Sequence, residues 1–267
     1  MVDIHHHLLF GVDDGADCIA TSAEMARMAE AEGITHIVCT PHANSYHDFL
    51  REVNAARLDE LRTRLVEEGI ALTLGLGCDF HLSYDNVKQA LAEPTRFSIN
   101  GLEYLLVELP DYGLPPGLTE TYYQLRLAGL TPILTHPERN PTLQHEPERM
   151  VEWLRGGLLI QMTADALTGH KGQRAQKMAF DLLDKRWVHF LASDAHNVTT
   201  RPPRMREAYE IVAAKYGAAY AHSLCVTNPL AVFEGKTFEP VEAARGIEEK
   251  IKVPGLWQRV TAALKHQ

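Results

Sequence analysis

The chain lacks several features that would mark it for a broad class. Its 267 residues contain only four cysteines, Cys18, Cys39, Cys78 and Cys225, at no paired spacing, so neither a disulfide frame nor a thiolate zinc site is expected. They read as buried, reduced thiols. No stretch approaches the roughly 18 apolar residues of a membrane-spanning helix, and no basic, then apolar leader with a small-residue cleavage site opens the sequence. The expectation is a cytosolic protein with no membrane insertion. Lys and Arg number 26 against 35 Asp and Glu, a net charge of −9, and they form no cluster. Nucleic acid and anionic membrane surfaces need such a cluster to displace counterions, which argues against both as partners. No internal repeat, low-complexity tract or linker divides the chain, so one domain is expected over 1–267.

What the chain does have is a ligand-type residue at the end of one apolar run after another. Segments 2–7, 36–42, 72–79, 104–108, 132–136, 158–163 and 189–196 read as strands, and all but 158–163 end, or nearly end, in histidine or a carboxylate. Helical patterns at 21–32, 46–68, 116–128, 146–155, 173–185 and 204–216 supply the crossovers that parallel strands require. Thr21 and Glu24 have capping-box spacing, with Gly33 closing the helix. Strands whose C-terminal ends share one polar site describe an α/β barrel. Helical patterns at 241–250 and 254–263 suggest that 238–267 forms a C-terminal helical cap.

His5 and His7 alternate with Ile4 and His6 and so share one strand face, with Asp13-Asp14-Gly15 just downstream. His42 follows Thr40-Pro41, and His136 opens His136-Pro137-Glu138-Arg139. Glu108 ends an apolar run, where an uncompensated buried carboxylate costs several kcal/mol and a metal would compensate it. Asp194 and His196 again have a spacing of two. With Asp14 and Asp79, the candidate set is His5, His7, Asp14, His42, Asp79, Glu108, His136, Asp194 and His196. Nitrogen and oxygen ligands in that number suit two or three divalent ions of the Mn, Fe or Zn type rather than calcium. Arg139 and Arg201 follow two of the histidines at loop distance, and guanidinium groups suit a phosphoester substrate.

These stretches resemble the polymerase-and-histidinol-phosphatase (PHP) superfamily, and most closely its bacterial tyrosine phosphatases of capsule and exopolysaccharide loci, the CpsB/CapC kind. The matching stretches are Asp3-Ile4-His5-His6-His7, Gly11-Val12-Asp13-Asp14-Gly15, Thr40-Pro41-His42, Glu108-Leu109-Pro110, Thr135-His136-Pro137-Glu138-Arg139 and Ser193-Asp194-Ala195-His196-Asn197, over about residues 1–235. The resemblance implies a distorted (β/α)7 barrel, the TIM-like PHP fold, with three metal ions, often manganese, whose bridging hydroxide attacks phosphotyrosine. It implies one ion on His42, Glu108 and His136, a second on His5, His7, Glu108 and Asp194, and a third on Asp14, Asp79 and His196. Arg139 and Arg201 would clamp the phosphate, and the partner would be a cytosolic tyrosine kinase phosphorylated on its tail. This chain departs from the family in having Asp79 where glutamate is usual, which is expected to leave the third ion the weakest held. His6 replaces a small residue, and His81 has no family role and reads as a rim histidine.

Two other phosphatase chemistries compete with this one. A cysteine-dependent phosphatase needs Cys-x5-Arg, and none of the four cysteines has arginine six residues on. Histidinol-phosphate phosphatase would use the same metal core on a small alkyl phosphate. Further off are an amidohydrolase, which commonly carries a carboxylated lysine where this chain has Glu108, and a metal-bound barrel that only regulates a kinase. A phosphotyrosine ring would pack on loop aromatics, with Phe10 and Tyr112 as candidates.

Overall fold

In the computed structural model, residues 1–111 and 113–248 are described. The strands are β1 (Val2–His6), β2 (His36–Cys39), β3 (His42–Ala43), β4 (Thr73–Leu76), β5 (Asp79–His81), β6 (Tyr104–Glu108), β7 (Thr131–Thr135), β8 (Leu159–Thr163) and β9 (Phe190–Ala192). Every pairing is parallel, in the orders β1-β2-β4 and β3-β5-β6-β7-β8-β9.

Two runs that read as single strands are each broken once. Thr40-Pro41 separates β2 from β3, where proline offers no N–H to a ladder. Gly77-Cys78 separates β4 from β5, and a Cβ on Gly77 would stand 3.0 Å from Val38 and 3.1 Å from Ile99. The ladder continues across both breaks, because Gly77 N donates to Cys39 O at 2.8 Å and Asp79 N donates to Pro41 O at 3.2 Å. The pieces therefore make seven runs. The ring closes where Asp194 N donates to His5 O and His7 N to Ala195 O, both at 2.9 Å, around a parallel bridge between His6 and Ala195. This is a (β/α)7 barrel.

Alternate strand residues face two cores. Leu105, Val107, Leu134 and Leu191 join Leu61, Leu125 and Leu182 of the surrounding helices, while Tyr104, Leu106, Ile133 and Phe190 meet in a second cluster on the inner face. Glu108 shares the parity of Leu106, so it points to the mouth of the ring.

The helices Ile19–Ala31, Arg51–Glu67, Leu118–Leu127, Gln173–Asp184 and Arg206–Tyr216 lie where the periodicity predicts them. The expected capping box is absent: the helix starts at Ile19, and the Thr21 hydroxyl donates to Asp17 Oδ1. Residues 46–50 are not helical, because Asn44 Oδ1 accepts from Tyr46 N and His47 N and closes a turn. The 146–155 pattern resolves into a 3-10 turn, Pro147–Arg149, and the helix Met150–Arg155, while a separate short helix, Pro141–His145, capped by Asn140, precedes it. The helix Tyr84–Ala92, capped by Ser83, had no counterpart among the sequence patterns.

No helix forms over 241–248; there Arg245 N donates to Lys185 O at 2.8 Å and Trp187 Nε1 donates to Arg245 O at 2.9 Å, so tertiary partners take these backbone groups. The rest of the expected cap lies outside the described residues. None of the described helices is long and apolar enough to cross a membrane.

Candidate metal centre

The nine candidate ligands converge at the C-terminal ends of the strands and the loops that follow them. His5 lies on β1 with His7 just beyond it, His42 begins β3, Asp79 begins β5 and Glu108 ends β6. His136 follows β7, and Asp194 and His196 follow β9, while Asp14 comes from the loop after β1. A Cβ on Gly15 would overlap His7, so only glycine lets that loop fold under the histidine. His136 (φ 32°) and Asp194 (φ 53°) adopt left-handed backbone, costing roughly 1 kcal/mol or more each in non-glycine residues. Hydrogen bonds from His136 N to Gln161 O (2.8 Å) and from Asp194 N to His5 O (2.9 Å) hold both turns and aim the side chains inward.

Three of the five histidines are oriented by their Nδ1 atoms. His5 donates to Gln161 Oε1 at 2.9 Å, His7 to Asp13 Oδ2 at 2.7 Å and His196 to the Asp194 carbonyl at 2.9 Å. Each then turns Nε2 toward the centre, as metal-binding imidazoles do. There His5 Nε2 lies 3.4 Å from Asp79 and 3.5 Å from Asp194, and His42 lies 3.4 Å from Asp14 and 3.3 Å from Asp79. His136 Nε2 stands 3.5 Å from Glu108.

The donor set fits divalent ions. Both Asp79 carboxylate oxygens, His42 Nδ1, His136 Nε2 and His196 Nε2 are buried without a hydrogen-bond partner among the described residues, an arrangement that is costly unless something else binds them. Against the desolvation that burial imposes, the surrounding carboxylates hold His5 up at about 9 and His42 at about 11, so the cluster draws in positive charge.

Donor atoms close enough to share one ion form four overlapping groups: His7, Asp14, His42 and His196; His5, Asp79 and His136; His5, His7 and Asp194; His42, Asp79 and Glu108. These differ from the partition that the resemblance implies. Asp79 lies between His5 and His42 rather than with Asp14 and His196, because β5 sits beside β3 and places its first residue deep in the ring.

Arg139 Nη1 and Arg201 Nη2 both donate to Asp194 Oδ2, each at 2.6 Å. One carboxylate thus holds two guanidinium groups side by side, while its Oδ1 faces the histidines. Both arginines line a cavity of about 340 Å³ with Asp14, His42, Asp79 and Glu108.

Of the two aromatics expected to meet a substrate ring, one differs from expectation. Phe10 is buried in the core with Arg57 over its ring, so it offers no face to a substrate. Tyr112 lies outside the described residues. Tyr46, 87% exposed, lines the cavity. His6 is fully buried with neither ring nitrogen partnered among the described residues, and burial, followed by the charges of His7 and His5, pushes it down to about 3. His81 stands at the rim, 3.7 Å from Glu108.

Sequence reasoning missed the supports. Asp13 holds His7, and Gln161 holds His5 from the one strand that lacked a ligand. Asp3 accepts from His5 N, Ser193 N and Ser193 Oγ, tying β1 to the segment that carries Asp194. Polar residues facing inward beside ligands were the available signal.

The family profile described as capsular polysaccharide synthesis, CpsB/CapC, matches residues 1–234. The chain belongs to the CpsB/CapC family. It is 35% identical over 226 residues to the tyrosine-protein phosphatase YwqE of Bacillus subtilis, covering 84% of this chain and 88% of that protein. To the tyrosine-protein phosphatase CpsB of Streptococcus pneumoniae it is 29% identical over 235 residues, covering 86% and 96%. A chain from the crystal structures of YwqE and CpsB, described as unique metal-dependent tyrosine phosphatases, matches with a TM-score of 0.82 at 32% identity, covering 91% of this chain and all of that one.

Proposed function

We propose that this CpsB/CapC chain is a metal-dependent protein-tyrosine phosphatase acting on a phosphorylated tyrosine kinase of capsular or exopolysaccharide synthesis. The observation that carries the reading is Asp194, which turns one oxygen to the histidine cluster and the other to Arg139 and Arg201. With ions held by the histidine cluster, a phosphate at the cavity floor would meet positive charge there as well as from the two guanidinium groups.

His5, His7, Asp14, His42, Asp79, Glu108, His136, Asp194 and His196 would hold the ions, which we take to be three and to include manganese. Bound divalent ions lower the pKa of water from about 15.7 toward 7 and so supply a hydroxide nucleophile near neutral pH. Arg139 and Arg201 orient the phosphate oxygens and stabilise the charge that grows on them during displacement. Asp13 and Gln161 keep His7 and His5 in the tautomer that faces the ions.

The test combines elemental analysis of the purified protein with turnover of phosphotyrosine. Chelation should abolish turnover and Mn2+ should restore it; undiminished hydrolysis by protein shown to be metal-free would overturn the mechanism.

A further inference from the structure

A second cavity, about 780 Å³, opens from the first. Asn44, Ser45 and His81 line both. The catalytic cavity, at about 340 Å³, has room for a phosphate and an aromatic ring. The polypeptide that carries the ring must leave it, and this groove is the larger of two cavities that share lining residues with it.

Hydrogen bonds hold both walls of this groove in place. One wall is the turn over 44–47, closed by Asn44 Oδ1 and by Asn44 N donating to His47 O at 3.0 Å. The other is the first turns of the Tyr84–Ala92 helix. Asn86 Nδ2 joins them, donating to Ala43 O and to His81 O at 2.8 Å each, and Ser83 Oγ caps the helix. A preformed groove spares a ligand part of the cost of ordering.

Its lining is polar, with Asn44, Ser45 and Gln89 suited to main-chain amides, while Asp48, Asp85 and Lys88 set the charge. Asp48 and Asp85 are exposed, and among the described residues neither has a cation at ion-pair distance.

We propose that this groove is the subsite for the polypeptide on one side of the phosphotyrosine, and that it selects neutral or basic residues there over acidic ones. The proposal rests on the phosphatase reading above. Main-chain hydrogen bonding supplies affinity tolerant of sequence, and the two carboxylates repel an acidic neighbour.

The experiment uses the full-length, Mn2+-loaded protein with three kinds of substrate: blocked single phosphotyrosine, and phosphotyrosine peptides with lysine or glutamate on either side. Lysine-flanked peptides should exceed glutamate-flanked ones in kcat/KM by about tenfold, equivalent to about 1.4 kcal/mol. Asp85→Lys should erase or reverse that preference, and Gln89→Trp should remove the advantage of peptides over the single residue. Both should leave the single residue unchanged, and Asp48→Lys repeats the charge test should Asp85→Lys not fold. Unchanged flank preference in the charge variants, or equal losses on the single residue, would overturn the proposal. A wild-type protein inactive on every phosphotyrosine compound would instead overturn the phosphatase reading beneath it.

Discussion

Asp13 Oδ2 accepts the proton of His7 Nδ1 at 2.7 Å, and the same oxygen accepts His42 N at 3.1 Å. One carboxylate therefore orients one candidate ligand and fixes the backbone of another. Asp13→Ala should lower metal affinity about ten- to a hundredfold, the usual effect of losing a carboxylate behind a metal-bound histidine. Titration of metal-stripped protein with Mn2+ measures this, and wild-type affinity in the variant would deny Asp13 that role.

Asp79 belongs to two of the donor groups, whereas Asp14 belongs to one. Asp79→Asn should therefore cost more bound metal than Asp14→Asn. Elemental analysis of both purified variants decides, and equal losses would mean that membership of two donor groups gives Asp79 no greater share in holding metal.

Much of this centre was legible because ligand-type residues at the ends of apolar runs are costly unless they serve something. His5, His42, Glu108, His136 and Asp194 stand out on that ground, and so do the strands that carry them. Asp13 did not, because it neighbours Asp14 and nothing local tells the residue that orients a histidine from one that faces the centre. Gln161 was silent because an amide carries no ligand signal until His5, 156 positions away, is placed against it. The grouping of donors around Asp79 follows from β3 pairing with β5, a register set by the breaks at Thr40-Pro41 and Gly77-Cys78. Tertiary partners likewise kept 241–248 from forming the helix its pattern suggests.

Because Arg139 and Arg201 share one acceptor oxygen, their effects should not add. Each alanine variant should lose about ten- to a thousandfold in kcat/KM. The double variant should lose less than the product of the two, with metal content retained. A double-mutant cycle on phosphotyrosine measures the coupling, and strict additivity would mean the two guanidinium groups act apart.

His189 lies outside the centre, with Nδ1 accepting from Ile160 N at 3.1 Å. Desolvation lowers it from 6.5 to about 4, so the folded state keeps it neutral where the unfolded chain would protonate it. The unfolded state then binds more protons, and stability rises with pH through this window. The contribution is fully present above about 6.5 and is lost as pH falls toward about 4. His189→Gln should flatten that part of the stability profile. Denaturant melts of metal-stripped protein at several pH values test it, and equal slopes in both proteins would exclude His189 as the source.

Among the described residues, Tyr46 is the exposed aromatic that lines the cavity, so a phosphotyrosine ring can pack on it. Such contacts contribute about 0.5–1.5 kcal/mol beyond area burial, which corresponds to about two- to twelvefold in affinity. Tyr46→Ala should therefore weaken kcat/KM for phosphotyrosine by about that factor and leave phosphoserine nearly unaffected. Histidinol phosphate carries an ammonium group near its phosphate and its imidazole ring further off, so it offers Tyr46 no ring bonded to the ester oxygen. Wild-type protein should therefore hydrolyse phosphotyrosine peptides and aryl phosphates faster than histidinol phosphate, phosphoserine peptides or sugar phosphates. Competitive kinetics on that panel settle the substrate class: a preference for histidinol phosphate, insensitive to Tyr46→Ala, would assign the same metal centre to small alkyl phosphates.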